Sequence, residues 1–313
     1  MPTSLALRHG VLWIARSVKL TRLVPFDVNG RRLGPGFTMH GIGGVGTEVR
    51  AITVDEDRRV WAADAVSGSL RALTAFGAEI AGIQSISESE SDRPGAFGDP
   101  AGIASQGVEA DARLLLSRRG ERRHALLLVD PTRGRSSSLR SEGDPQGSFS
   151  GLAGVALSER LAFACETGKR SVQVFRDGDF HYRISIPAPN RGGVSLEPCS
   201  VAALGDGRAV VACRGGEGGA VFLFDGGGSL VRCLAAGEDG GEGGTGGVER
   251  PSGVAVQEGG SDRASLVLVL DREGDRVQAF SLDGACLGSF HDLDLASRTE
   301  GSGGGRQTSS GPG

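Results

Sequence analysis

Lysine is nearly absent from this chain. Lys19 and Lys169 are the only two, so arginine supplies almost all of the 34 cationic side chains. Acids number 38 and the net charge is −4, so the chain as a whole is no binder of polyanions such as nucleic acid. A coding bias toward arginine is the plainer cause of the imbalance. Recognition of carboxylate or phosphate by planar guanidinium groups is the sharper one. Aromatic residues make up 5% and apolar residues 38% of the 313 positions, which fits a distributed core better than one large one. No apolar run approaches the roughly 18 residues that a membrane-spanning helix needs. The opening residues MPTSLALRHG lack a basic stretch, and Arg8 interrupts their apolar run, so no secretory signal is read there.

Catalytic signatures are missing too. There is no HExxH, no GxSxG and no Walker P-loop. A GxGxxG at Gly241, Gly243 and Gly246 lies between two predicted strands instead of before a helix, and reads as a loop. The five histidines, His9, His40, His124, His181 and His291, are scattered over turns, loops and an outer strand. No catalytic residue, metal site or cofactor is assigned. Five cysteines, Cys165, Cys199, Cys213, Cys233 and Cys286, form an odd set without CxxC spacing. They read as free, buried thiols in a reducing compartment, and so predict a cytoplasmic protein.

What is abundant is glycine, 53 residues, and it punctuates a repeat. The last copy is the clearest. Pro251 to Val256, Leu266 to Asp271, Arg276 to Phe280 and Cys286 to Phe290 are four short apolar or alternating runs separated by turn residues. Six copies align on Ala6, Thr53, Ala104, Ala156, Ala202 and Ala255, in steps of 47, 51, 52, 46 and 53 residues. A proline stands four residues before the anchor in copies one, three, five and six, which suits the first residue of a strand. Turn glycines are read after each third strand at Gly30, Gly77, Gly134, Gly178, Gly226 and Gly284.

The run Gly95 to Ala104 resembles the start of an NHL repeat, as does Pro251 to Val256, and Arg276 to Gly284 resembles that repeat's third strand and turn. The resemblance spans residues 4–290. It implies an all-β fold, a six-bladed β-propeller of four-stranded antiparallel blades. The blades are expected near 4–37, 49–83, 100–140, 152–186, 198–234 and 251–290. Together they form one domain over 1–295, followed by a disordered Gly/Ser-rich tail at 296–313. In propellers the loops between blades, and those between second and third strands, share one face, the expected binding surface.

Two sets of residues stand out on that face. At the ends of the second strands come Arg16, Asp64, Arg118, Glu166, Arg214 and Asp271, whose charge alternates around the ring. The structural reading is a rim of blade-to-blade Arg–carboxylate pairs; the functional reading is a ring that presents donors and acceptors to a ligand. Five residues before their anchors come Glu48, Asp99, Glu197 and Arg250, a hint of acidity at the channel mouth. The run Arg118, Arg119, Arg122 and Arg123 reads as a solvated turn in preference to a phosphate-binding patch. The function expected is a non-catalytic, monomeric scaffold for a protein, peptide or small ligand. The alternative is a metal-dependent hydrolase or lyase of gluconolactonase type, with its site in the central channel.

Overall fold

A computed structural model describes residues 2–17, 21–40, 47–83, 99–108, 111–119, 125–142, 144, 147–188, 195–216, 218–237 and 247–291. The GxGxxG run and the residues after 291 lie outside these, as do His124, Arg122 and Arg123. The described residues hold 24 strands in six separate four-stranded sheets, each antiparallel and built from one continuous segment. Blade one comprises β1 (Pro2–Arg8), β2 (Val11–Ser17), β3 (Thr21–Asp27) and β4 (Phe37–Met39). Blade two comprises β5 (Val49–Val54), β6 (Val60–Asp64), β7 (Ser69–Leu73) and β8 (Glu79–Ile83). Blade three comprises β9 (Asp99–Gln106), β10 (Arg113–Arg119), β11 (Ala125–Asp130) and β12 (Arg135–Leu139). Blade four comprises β13 (Leu152–Ser158), β14 (Leu161–Glu166), β15 (Ser171–Arg176) and β16 (Asp179–Ser185). Blade five comprises β17 (Glu197–Ala203), β18 (Ala209–Gly215), β19 (Gly218–Phe224) and β20 (Leu230–Ala236). Blade six comprises β21 (Pro251–Gln257), β22 (Leu266–Asp271), β23 (Arg276–Ser281) and β24 (Cys286–Phe290). The fold is a six-bladed β-propeller. Among the described residues no helix is long and apolar enough to cross a membrane.

A blade has two apolar faces and cannot bury them alone; stacking against its neighbours does so. Six apolar clusters follow, one at each joint. Phe163, Val174 and Ile184 meet Val211 and Phe222 between blades four and five. Leu5, Leu12, Ile14, Val24 and Phe26 meet Leu268, Leu270 and Val277 where blade six closes onto blade one. Each fully buried Leu, Ile or Phe contributes about 1.5–3 kcal/mol. Because this core is spread over six joints, a low apolar fraction suffices for a long chain.

Register decides what the centre of the disc presents. Each anchor pairs with a bulky residue of the second strand: Ala6 with Trp13, Thr53 with Trp61, Ala104 with Leu115, Ala156 with Phe163, Ala202 with Val210 and Ala255 with Leu268. Three residues before each anchor the pairing slips by one. In blade two, for example, Val49 faces Asp64 and Ala51 faces Ala63, leaving Arg50 as the extra residue of a β-bulge. The same slip occurs in all six blades. One turn glycine is also corrected. In blade five the turn after the third strand closes with Gly228 N–H on the Asp225 carbonyl, and Gly228 has φ +86°, so it takes the place expected of Gly226.

Candidate functional site

The first strands of all six blades surround a central channel with a cavity of about 190 Å³. Its wall is made mainly of small, apolar and hydroxyl side chains, with Arg8 and Arg50 also lining it. Several of the hydroxyls tie neighbouring blades together: Ile52 N–H donates to Ser4 Oγ at 3.2 Å, Thr53 Oγ1 and Ser105 Oγ stand 3.0 Å apart, and Val254 N–H donates to Ser200 Oγ at 3.1 Å. The hydroxyls therefore serve the joints first.

At the end where the second strands finish, the channel opens into a cavity of about 500 Å³. Its floor is the ring of bulged residues, Thr3, Arg50, Ala101, Ala153, Cys199 and Ser252, one from each blade, all of which line it. A bulge re-aims a side chain that the strand's alternation would otherwise send into a joint. Only Arg50 among the six is charged. Its Nε lies 2.9 Å from Glu48 Oε1 and 3.9 Å from Asp99 Oδ1 of the next blade.

The register corrects the alternating ring. The residue three past each anchor's partner is Arg16, Asp64, Arg118, Glu166, Cys213 and Asp271. Arg214 lies one residue further on. It shares its position with Arg119 of blade three and Arg272 of blade six, and all three line the cavity. The neutral Cys213 thus breaks the alternation in blade five.

The bonds of that ring's acids lie within their own blades. Asp64, Glu166 and Asp271 are each 0% exposed and hold their own blade's connecting chain. Asp64 Oδ1 accepts from Glu48 N–H at 2.9 Å and Val66 N–H at 3.1 Å, and its Oδ2 accepts from Ser67 Oγ at 2.8 Å. Glu166 Oε1 accepts from Ser150 N–H at 2.7 Å and lies 3.0 Å from Lys169 Nζ. Asp271 accepts from Arg250 N–H at 2.8 Å and from the Arg276 guanidinium at 3.1 Å. These acids form three buried clasps that fasten the chain as it enters a first strand. Such charge-assisted bonds within a low-dielectric interior stabilise by roughly 1.5–3 kcal/mol each.

Of the residues expected at the mouth, Glu48 lines the cavity and Asp99 faces Arg50. Arg250 reaches Glu273 at 3.6 Å, and Glu197 is exposed at the start of β17. Among the described residues the cavity is lined by four arginines, Arg50, Arg119, Arg214 and Arg272, and one acid, Glu48, with Asp99 close to Arg50. Arg119 is steadied by donating Nε to the Leu152 carbonyl at 3.0 Å, a neutral partner that leaves its charge uncompensated by that bond.

One thiol lines the mouth among its described residues. Cys199 is buried, and its Sγ lies 3.2 Å from the carbonyl oxygens of Ala212 and Pro251, which share its one proton as acceptors. Burial pushes its thiol up to about 12, against the opposing field of Arg214, so it stays protonated and non-nucleophilic at neutral pH. Burial likewise holds Cys165 and Cys213 well above the ordinary thiol range. All five cysteines are unpaired. Among the described residues no three His, Cys, Asp or Glu side chains stand together as a metal site.

No protein-family model and no curated protein sequence matches the chain. Solved structures do. A streptogramin B lyase is similar over 93% of this chain and 82% of its own, at 12% identity and a TM-score of 0.60. A chain of a nidogen–laminin complex matches over 90% and 93%, at 14% identity and 0.60. A gluconolactonase from Xanthomonas campestris matches over 91% and 84%, at 14% identity and 0.54. Likeness this remote in sequence shows a shared propeller fold and leaves activity to the residues at the site.

Proposed function

We propose that this chain is a cytoplasmic, monomeric propeller of NHL type that works as a binding module, holding a protein, peptide or small ligand at its loop-bearing face. The observation that carries this reading is the bulge-built mouth. Six blades converge to shape a cavity there, yet its floor of Thr3, Arg50, Ala101, Ala153, Cys199 and Ser252 contains neither a nucleophile–base pair nor a set of metal ligands. The NHL-like runs at 95–104 and 251–256 support the family, and the buried, protonated thiols support a reducing compartment.

The gluconolactonase and lyases of similar fold prompt the enzymatic alternative. A lactonase-type metal would require carboxylates and amides around the channel, and the described side chains that line it do not fit. The test is metal analysis of the purified protein, joined to melts with added Zn²⁺, Ca²⁺, Mg²⁺ or Mn²⁺. A binding module holds well under one metal equivalent and its melting temperature does not respond. Stoichiometric metal together with lactone hydrolysis would overturn the proposal.

A further inference from the structure

We infer that the channel mouth is a site for a small organic or inorganic polyanion, one carrying two or more carboxylate or phosphate groups. The inference rests on the binding-module reading and names the ligand class for it. The carrying observation is positional. Arg119, Arg214 and Arg272 occupy one equivalent position in blades three, five and six, and the bulged Arg50 joins them from blade two. Four blades thus turn a guanidinium onto one cavity, in a protein whose net charge is −4. Arg50 is balanced by Glu48, and Arg119 is fixed by a carbonyl. Half-buried Arg214 stands opposite exposed Glu197 in the β17–β18 ladder, yet no carboxylate lies within ion-pair distance of it among the described residues.

Guanidinium forks match carboxylate and phosphate oxygens two at a time, and several aimed from different directions select a multiply charged ligand over a single charge. Size points to a small molecule. A cavity of about 500 Å³ falls within the range of small-ligand sites, roughly 300–1,000 Å³. Its floor is a closed ring of six blades, not a groove that lets an extended chain pass. Nucleic acid would call for a basic stripe across the surface, whereas these arginines are gathered at one opening.

The experiment is calorimetric titration of the full-length protein with inorganic pyrophosphate and, separately, with citrate, at low and at physiological salt. Acetate and glucose serve as controls. Binding of either polyanion at one site, with Kd below about 1 mM and weakened by salt, is the expected result. Preference for pyrophosphate or for citrate tells phosphate from carboxylate recognition. Arg214→Ala should weaken binding about ten-fold or more, and Arg214→Lys, which keeps charge but loses the fork, by less. Arg160→Ala, on the opposite face where Arg160 pairs with Asp177, should leave it unchanged. Melts confirm that each variant folds. The inference is overturned by a folded protein that takes neither polyanion, by equal weakening in Arg214→Ala and Arg160→Ala, or by binding of an acidic peptide alone. Any of these, with no metal present, leaves the binding-module reading standing. Stoichiometric metal with lactonase activity would instead remove that reading.

Discussion

Asp64 and Arg214 were both expected in one ring of charge, and the structure gives them opposite duties. Asp64 is wholly buried and holds two backbone N–H groups and a hydroxyl; Arg214 is half-buried at a cavity. Asp64→Ala strands the N–H groups of Glu48 and Val66 and should cost about 2–4 kcal/mol in urea unfolding. Arg214→Ala should fall within about 0.5 kcal/mol of the parent. Equal losses would return the two residues to a single role. The thiols make a pH prediction. Cys199 ionises near 9.0 in an unfolded chain and near 12 in the folded one. Above pH 9 the native state keeps a proton that the unfolded state has released. Stability therefore falls as pH rises toward 12, by about 1.4 kcal/mol per pH unit per such thiol, and is unaffected below pH 9. Melts from pH 8 to 10.5 should show the decline, with a shallower slope in Cys199→Ala. A profile as steep in the variant as in the parent would exclude Cys199 as a source.

At the scale of the element, strands and turns were legible because their signals are local. Alternating runs, prolines before inner strands and a small residue at each anchor were enough to count the blades. The bulges were not legible, since a slip in pairing exists only once two strands have met. Spacing alone therefore aligns Arg214 with Asp271, whereas the pairing of Pro198 with Cys213 puts the cysteine there. Burial of the acids was hidden for the same reason: an acid after a second strand reads alike whether it faces a neighbouring arginine or its own backbone. Glycine in an inner strand has a use that only packing reveals. A Cβ on Gly154 would stand 2.6 Å from Ser200 Cα and 2.9 Å from the Cys199 carbonyl of the next inner strand. Backbone cannot yield as a side chain tip does, so Gly154→Ala should destabilise by about 2–4 kcal/mol. A melting temperature equal to the parent's would mean that blades four and five separate there with little resistance.

Over the whole molecule, each blade draws its four strands from one segment, so no strand is shared where blade six meets blade one. That joint rests on an apolar cluster and the Phe26–Phe290 contact, with centroids 6.1 Å apart. The joint between blades one and two adds ties from Thr3 Oγ1 to the Val49 carbonyl and from Ile52 N–H to Ser4 Oγ. Sub-global opening should begin at the closing joint, and native-state hydrogen exchange should find blades one and six less protected than the rest. Finding that pair the best protected would refute this.

The self-contained blade has an evolutionary and practical corollary. A link from Phe290 back to Pro2 would be one more outer-to-inner connection, of the kind that already runs from Met39 to Val49. The linear order of blades is then arbitrary with respect to the disc. Circularly permuted chains, cut between any two blades and sealed at the old termini, should assemble the same ring. The position of the ends becomes a free choice for whatever is fused to them.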